Sequence, residues 1–519
     1  MAEATMSKAA VLNMVHEHWP SHLASRQQAI LTDKWIRGEQ YDLRDDSDFD
    51  FETGGAWDAY SGSVFQPESR SEEHKDLESR TPTPWGGLVV TSLAQTAYVD
   101  GLRKAGSSDN LPFWQTWQSN HWDARQTSVH RTAIGLSTAY GVALPGKNPL
   151  TGDKMTKLIA RSPKRMSAFY QDDQDDWPVF AVDATKTWKV SEMGLGRIQD
   201  GWFVEVHDAF VTHRISCKGD GRDLKDWTYI DNEAHGLPIP PVARCVNRLD
   251  LDGRATGEIE PILPMLRRID QDMFDRLIVQ RFGAWKVRYI AGMAKPSNQS
   301  QADIQAMRLR IEDLLISSDN QTKFGTLDAT DLKGYIDVGD ADLRMLAAIT
   351  QTPPHHLLGL SSNLQAEALA AAESGLQRKS VDFKQNAGEF HENLARLDAL
   401  IRGDKATAGA YDLQVRWRDT ESRSLTQAAD ALGKLAVQLK VPVEMLWEKV
   451  PGWTDSDTER AKSLIETGSV EQLLADIQVE LDKERQDALG GPAAPGAKPP
   501  AAPAKGAPAA QKKSGSSGK

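Results

Sequence analysis

The sequence has few cysteines and no long hydrophobic run. Cys217 and Cys245 are its only cysteines in 519 residues, too few for a disulfide framework or a structural zinc site, so a reducing compartment is expected. No stretch of about 18 apolar residues is present, so no membrane span is predicted. The first ten residues contain no apolar segment of the kind that forms a secretory signal, and none is expected.

Positive charge is also in short supply. The chain carries 61 Lys and Arg residues against 73 Asp and Glu residues, a net charge of −12. A protein that coats DNA with its whole surface needs a basic footprint, so this class is excluded. A protein past which DNA must slide without sticking is still compatible with the charge.

The signatures of common enzymes are missing. The sequence contains no GxxxxGK[ST], which excludes a P-loop ATPase argument, and no GxSxG. Gly194-Leu-Gly196 lacks both the third glycine and the strand–helix context of a dinucleotide-binding loop. No nucleophile or general base is therefore predicted.

Four polar clusters were weighed as metal or catalytic sites. His16 and His18 are two residues apart on a predicted helix, so their side chains point about 200° apart. Asp172–Asp176 lacks the glycine and the terminal glutamate of a calcium loop. The other two are the adjacent pair His355-His356, which as neighbours can hardly share a metal, and the turn with Asp220, Asp223 and Asp226. Solvated turns and faces are preferred throughout, and neither a metal nor a cofactor is predicted.

The last thirty residues differ from the rest. Residues 490–519 consist mainly of Ala, Pro, Gly, Ser and Lys, with five lysines and no acid. Such a segment cannot bury enough apolar area to offset its ordering entropy, so a disordered basic tail is predicted. Its role is either to solubilise the protein or to contact nucleic acid or an acidic partner. Without the five lysines, 56 basic residues face 73 acidic ones, so the remainder is near −17.

Hydrophobic periodicity predicts an α+β, mostly helical fold. Helices are expected over 5–37 with a break at Pro20, from Leu88 to Gly101, and within 111–142, with 41–84 as a loop or arm. Period-two patterns separated by turn residues predict a mostly antiparallel β region over 143–255.

The second half of the sequence alternates again. The predicted elements are a helix over 258–285, a strand from Lys286 to Ile290, a helix over 304–315, strands within 322–336, a short helix over 341–350 that stops at Pro353-Pro354, a long helix over 364–401 that begins at a Ser362–Gln365 capping box, a strand over 413–417, and helices up to 489. A very long Ala-rich helix, with 15 Trp against 13 Phe and 9 Tyr, is typical of a structural subunit, because tryptophan often anchors interfaces.

Several segments together resemble a known family. They are Gly87-Leu-Val-Val-Thr-Ser-Leu-Ala-Gln-Thr-Ala-Tyr-Val-Asp-Gly-Leu, Pro240-Pro-Val-Ala-Arg-Cys-Val-Asn-Arg followed by Gly257-Glu-Ile, Met273-Phe-Asp-Arg-Leu with Gln280-Arg-Phe, Ile349-Thr-Gln-Thr-Pro-Pro-His-His-Leu-Leu-Gly, and Ala366-Glu-Ala-Leu-Ala-Ala-Ala-Glu. Over roughly residues 10–485 the chain resembles phage portal proteins, the head-to-tail connectors of tailed double-stranded DNA phages, and it is most similar to those of phages that infect actinobacteria.

The resemblance implies a portal fold and a ring of twelve subunits at one capsid vertex. The expected parts are a wing (1–255), a first stem helix (256–285), a clip (286–337), a second stem helix (338–352), a tunnel loop (353–363), a long wing helix (364–410), a crown (411–489) and the tail (490–519).

It also implies roles for individual residues. The tunnel loop would present to DNA His355, His356, Leu357, Leu358, Gly359, Leu360, Ser361, Ser362 and Asn363. Stem contacts around the ring would come from Arg267, Arg268, Arg276 and Arg281. Docking of the adaptor or terminase on the clip would use Lys286, Arg288 and Tyr289.

The implied function is a passive conduit for DNA packaging and ejection. The implied partners are further copies of the chain, double-stranded DNA bound without sequence specificity, the terminase, a head–tail adaptor, and the major capsid and scaffolding proteins, with no membrane and with assembly in the host cytoplasm. Two alternatives stay open: a packaging enzyme of the terminase nuclease type, and a minor virion protein without a channel.

Overall fold

The computed structural model describes the chain in several stretches. They are residues 6–41, 72–107, 109–172, 174–190, 197–283, 288–291, 323–326, 332–359, 366–419, 425–447, 449–450, 453–454 and 456–463. Residues 1–454 form one compact unit, and residues 455–519 form a second unit whose described part, 456–463, is helical. The predicted helix over 304–315 and the basic tail lie outside the described residues.

The first helix, α1 (Lys8–Arg37), confirms the predicted helix over 5–37. It begins where the Ser7 side chain accepts a hydrogen bond from the backbone N–H of Ala10 at 3.2 Å. It ends at Gly38, which has a φ of 74°. The predicted break at Pro20 was wrong, because the helix runs through the proline while its neighbour Trp19 is held in a buried contact.

The helix predicted from Leu88 to Gly101 was wrong at its end. A short α2 (Glu72–Ser79) precedes α3 (Trp85–Ala94), and Val99–Lys104 then forms strand β1. β1 pairs antiparallel with Leu413–Trp417, the last strand of the chain's described part. Local periodicity could not reveal a partner more than 300 residues away.

Two helices and a set of antiparallel strands complete the first half. The helices are α4 (Phe113–Ser119) and α5 (Trp122–Leu136). The strands that follow are β2 (Thr138–Lys147), β3 (Lys154–Arg161), β4 (Met166–Phe169), β5 (Phe180–Val190), β6 (Arg197–His207), β7 (Val211–Lys218), β8 (Trp227–Ala234), β9 (Val242–Val246), β10 (Arg248–Leu249) and β11 (Ala255–Thr256). β2 begins five residues before the predicted boundary at 143.

These strands form two main sheets. One has the order β3-β2-β9 and the other β4-β5-β6-β7-β8, and every pairing in both is antiparallel. The prediction of an antiparallel β region is confirmed. Val11, Val15 and Trp19 of α1 pack on one face of the five-stranded sheet, where Trp19 contacts Trp202 and Trp227 edge to face.

The second half is mainly helical. Its elements are α6 (Leu263–Gly283), β12 (Arg288–Ala291), β13 (Lys323–Thr326), α7 (Lys333–Thr350), α8 (Pro354–Leu358), α9 (Ala366–Arg402), α10 (Lys405–Ala408), β14 (Leu413–Trp417), α11 (Leu425–Gln438) and α12 (Val443–Trp447). α7 begins eight residues before the predicted helix start at 341, in a segment predicted to be strand. The fold is α+β, as predicted.

The long helix α9 is the centre of the main core. Phe383, Phe390 and Leu394 are almost fully buried, and α9 packs on β2 and β9. A Cβ at Gly141 of β2 would lie 2.9 Å from atoms of Phe390 and Leu394, so only a glycine lets the helix approach the sheet this closely.

Candidate functional site

Helices α6 and α7 pack against each other. β12 follows α6, pairs antiparallel with β13, and β13 precedes α7. Arg268 of α6 holds Asp342 of α7 with two hydrogen bonds, from Nε at 3.1 Å and from Nη2 at 2.8 Å. A bidentate guanidinium–carboxylate contact fixes both the distance and the relative rotation of its two partners, so it holds α6 and α7 together at this point.

α6 is also tied to the end of α1. The Asp270 carboxylate accepts hydrogen bonds from Gln40 Nε2 at 2.7 Å and from the Tyr41 hydroxyl at 3.1 Å. Burial raises the pKa of Asp270 to about 7, and these hydrogen bonds oppose the rise. The base of α6 is therefore anchored on two sides.

The four stem arginines do not share one role. Arg268, predicted to contact a neighbouring subunit, pairs with Asp342 of the same chain. Arg276 Nη2 lies 2.8 Å from Met273 Sδ on its own helix, and Arg281 is exposed. Arg267 is half-buried near Tyr41, where its charge lowers the pKa of the phenol against the larger opposite effect of burial. Arg268 and Arg281 are exposed and Arg267 and Arg276 are half-buried, and contacts of these arginines with a neighbouring subunit stay a prediction.

The predicted clip residues are only partly described. Arg288 and Tyr289 lie on β12, in register with Thr326 and Gly325 of β13. Lys286 lies outside the described residues. The structure thus places a two-stranded ribbon between α6 and α7.

α7 carries an apolar stripe that the sequence analysis missed. At about 100° per residue, Val338, Met345 and Ile349 lie on one side of the helix, together with the small side chains of Ala341 and Ala348. The three large side chains are 48–57% exposed. Of the buried side chains of α7, Asp342 lies beside this stripe, and Leu346, Thr350 and Ala347 lie further around the helix. The i, i+7, i+11 spacing is visible in the sequence, but the helix predicted from periodicity (341–350) left out Val338, which only the stem helix implied by the resemblance (338–352) included.

The predicted tunnel loop is partly a helix. Pro354 starts α8, and Gly359 ends it in the left-handed conformation with a φ of 65°. Leu357 was predicted to face DNA, which is wrong for this chain, because its side chain is 6% exposed and belongs to the main core. Leu360, Ser361, Ser362 and Asn363 lie outside the described residues.

An ionic junction holds the end of α7, just before α8, against its neighbours. Lys379 of α9 pairs with Glu258, and its Nζ also donates to the backbone carbonyl of Thr350 at 2.8 Å. Glu258 Oε1 accepts from Asn247 Nδ2 at 2.9 Å. The C-terminal end of α7 is thus fixed against α9 and the segment before α6.

His355 and His356 converge on one carboxylate. Their Nε2 atoms lie 3.1 and 3.4 Å from Glu373 Oε1 of α9, and their rings meet edge to face with centroids 4.4 Å apart. The sequence analysis expected that these neighbours can hardly share a metal, and the structure brings both rings to one carboxylate of α9. Glu373 was not singled out in the sequence, where one glutamate on an Ala-rich helix gives no signal.

The other polar clusters behave as solvated turns and faces. His16 Nε2 contacts the Arg222 carbonyl at 2.8 Å, whereas His18 Nδ1 contacts the Met14 carbonyl at 2.9 Å, so the two rings diverge. Asp220 and Asp223 pair with Arg222 and Lys225 in an exposed turn. Asp172 and its neighbours form a tight exposed turn of their own.

Both cysteines are buried and free. Burial raises the pKa of the Cys217 thiol to about 12 and that of Cys245 still further, so neither is a ready nucleophile. Among the described helices, none has the length and apolar character needed to cross a membrane.

Comparison with known proteins covers most of the chain. The model of the family described as "Phage portal protein, SPP1 Gp6-like" matches residues 16–481. No curated protein matches the chain. Among solved structures, a chain from "Virion of native gene transfer agent (GTA) particle" is similar, with 13% identity and a TM-score of 0.40, over 73% of this chain and 96% of that one.

The family is one of structural, non-enzymatic virion proteins. Its match spans both sheets, the α6–α7 pair, α8 and α9, which are the elements that carry the geometry described above. This chain belongs to the SPP1 Gp6-like phage portal protein family.

Proposed function

We propose that twelve copies of this chain close into a ring at one vertex of a phage capsid, and that double-stranded DNA passes through the ring during packaging and ejection. The observation that carries the proposal is the stripe of Val338, Met345 and Ile349 along α7, whose three large apolar side chains remain 48–57% exposed. Half-exposed large apolar residues aligned along a helix mark a contact surface. A ring supplies a second copy at each such surface, because head-to-tail contacts close when the rotation between subunits allows it.

The parts of the portal plan are assigned on the observed element bounds. We assign the stem to α6 and α7, the clip to the segment between them with β12 and β13, and the long wing helix to α9. The second stem helix then runs over 333–350 rather than 338–352, which shortens the clip at its end. The crown begins after β14 rather than at 411, since β14 pairs with β1 of the wing.

The charge balance supports a conduit rather than a clamp. A lumen that neutralised many phosphates would hold DNA through a sequence-independent affinity that grows with each contact. With the tail set aside, the chain carries about 17 more acidic than basic residues. The residues of 360–363, which bear no charge, are proposed to touch DNA weakly, whereas Leu357 is assigned to the core.

The further partners rest on the family alone. Terminase and a head–tail adaptor are proposed to dock on the clip near Lys286, Arg288 and Tyr289, and the major capsid and scaffolding proteins to contact the wing. An actinobacterial host rests on the sequence motifs alone. The tail over 490–519 has no assigned partner.

Electron microscopy of the purified full-length chain tests the ring. End-on class averages with a central opening wide enough for a double helix are expected, and native mass spectrometry of the same sample counts the subunits. Particles without an opening under every assembly condition would overturn the proposal. Hydrolysis of ATP or cleavage of DNA by the same preparation would favour the packaging-enzyme alternative instead.

A pair of variants tests the apolar stripe. Val338→Glu with Ile349→Glu places charges on the proposed contact and is expected to abolish rings while the melting temperature of the monomer stays unchanged. Leu150→Glu is the matched control, because Leu150 is 93% exposed in the β2–β3 turn. Rings from the double variant, or loss of rings in the control, would contradict the assignment of the stripe.

A further inference from the structure

The cluster of His355, His356 and Glu373 has a geometry that an ordinary ion pair does not require. Two imidazole Nε2 atoms approach the same carboxylate oxygen, at 3.1 and 3.4 Å. One ligand atom from each residue lies within 4.8 Å of the other two. Within the described residues this is the one group of three such side chains that come together in this way.

These separations match a tetrahedral metal site. Zn²⁺ binds imidazole nitrogen and carboxylate oxygen at about 2.0–2.2 Å, which places neighbouring ligand atoms of a tetrahedron about 3.3–3.6 Å apart. Both nitrogen-to-oxygen distances in the cluster fall near this range.

The chemistry of the donors points the same way. Two histidines and one carboxylate are a ligand set of catalytic and labile zinc sites, with a water as the fourth ligand. The three side chains are partly exposed, which leaves room for the water and a route for the ion.

The ligands lie on two packed elements, with His355 and His356 on α8 and Glu373 on α9. α8 is held by the buried Leu357 beside the histidines, and its end is set by Gly359. Glu373 lies on α9, one and a half turns before Lys379 of the ionic junction. Donors on rigid, packed elements lose little freedom when an ion binds.

We propose that His355, His356 and Glu373 form a binding site for a divalent transition-metal ion of borderline softness, with Zn²⁺ as the occupant. The ion joins α8 to α9 and so closes the chain between residues 356 and 373. Crosslinking two points that are separated along the chain stabilises the folded state by restricting the unfolded one. The proposal does not depend on ring formation, because all three ligands belong to one subunit.

Cobalt binding to the tag-free, EDTA-treated full-length chain tests the proposal. Co²⁺ is expected to give a saturable visible spectrum of low-symmetry four- or five-coordinate metal at one ion per chain, and Zn²⁺ is expected to displace it. Excess Zn²⁺ should raise the melting temperature by about 2–4 °C. Absence of a saturable spectrum would overturn the site.

Matched variants assign the ligands. His356→Ala and Glu373→Gln are each expected to weaken Co²⁺ binding at least tenfold and to remove the thermal shift, and circular dichroism checks that both are folded. His16→Ala is the control, since His16 contacts only the Arg222 carbonyl outside the cluster, and it should bind as the parent does. A spectrum that persists in both ligand variants, or that is lost in the control, assigns the ion to other residues and refutes the proposal.

Discussion

Lys379 and Glu258 form an ion pair in which the two side chains are only 14% and 5% exposed. The lysine comes from the middle of α9 and the glutamate from the segment that leads into α6. Because Lys379 also donates to the carbonyl of Thr350, three parts of the chain meet at one ammonium group. The end of α7 therefore depends on a charge that α9 supplies.

Lys379→Met is expected to lower the free energy of unfolding by about 3 kcal/mol, since it leaves a buried carboxylate without its main partner. Adding Glu258→Gln should restore part of the loss, because the uncompensated charge is then gone. Urea denaturation measures both. Lys434→Met is the control: Lys434 pairs with Asp430 on an exposed surface, and its loss should change stability by less than about 0.5 kcal/mol. Equal losses in Lys379→Met and Lys434→Met would contradict the argument.

A buried histidine pair predicts acid sensitivity. His130 Nδ1–H donates to the Ala97 carbonyl, so His130 Nε2 accepts from His391 Nε2–H at 3.0 Å, and both rings are neutral. Burial lowers the pKa of His130 to about 4 and that of His391 well below its usual value. The unfolded chain takes up protons as the pH falls below about 6.5, whereas the folded chain does not until near pH 4.

Stability should therefore be full above pH 6.5 and fall by on the order of 1–3 kcal/mol through this pair as the pH drops to 4. His391→Gln keeps a donor for His130 and removes one titrating group, so its loss of stability over the same interval should be smaller. Urea denaturation at a series of pH values measures the two slopes. Identical slopes would show that the pair does not titrate as described.

Asp272 predicts a variant that stabilises. Burial, and then the neighbouring Asp342, raise the pKa of Asp272 to about 6. The folded state thus holds this proton more tightly than the unfolded state, so its contribution is lost as the pH rises from about 4 to 6. Asp272→Asn should raise the free energy of unfolding by up to about 1 kcal/mol at pH 7, after allowance for solvent screening, and by nothing at pH 3.5. A destabilised variant at pH 7 would contradict the repulsion between the two carboxyls.

Two glycines, one on β2 and one on α9, predict opposite effects. Gly141→Ala puts a methyl group 2.9 Å from Phe390 and Leu394 and is expected to cost about 1–3 kcal/mol. Gly388→Ala, on the facing helix α9, meets nothing within 4 Å and should stabilise by about 0.5–1 kcal/mol through helix propensity. Thermal melts of the two single variants suffice. Effects of the same sign would show that α9 does not seat on β2 at Gly141.

Regular local patterns were readable from the sequence, and long-range partners were not. The α1 helix and the antiparallel strands followed from periods of 3.6 and 2. The start of α7 was missed because Tyr335 and Ile336 favour a strand, and tertiary packing overrode that preference. Pro353-Pro354 was correctly read as the end of α7, but Pro354 also begins α8, since proline suits the first turn of a helix.

The candidate site shows the same division. The position of His355 and His356 after a Pro-Pro pair was apparent, but their shared contact with Glu373 depends on how α8 lies against α9. The partner of Arg268 within the chain, Asp342, lies 74 residues further on and could not be found from local spacing. Spacing along one helix gives the faces of that helix, and it carries no information about the element that covers each face.

Strand β14 pairs with β1, which lies more than 300 residues earlier in the chain. The segment between these two strands, which includes α6 to α10, therefore begins and ends at one antiparallel strand pair. A force applied to the β12–β13 ribbon is therefore shared between the two ends of this segment, at β1 and β14. Adding or removing residues between β12 and β13 would change the length of this segment, while the pairing of β1 with β14 stays in register.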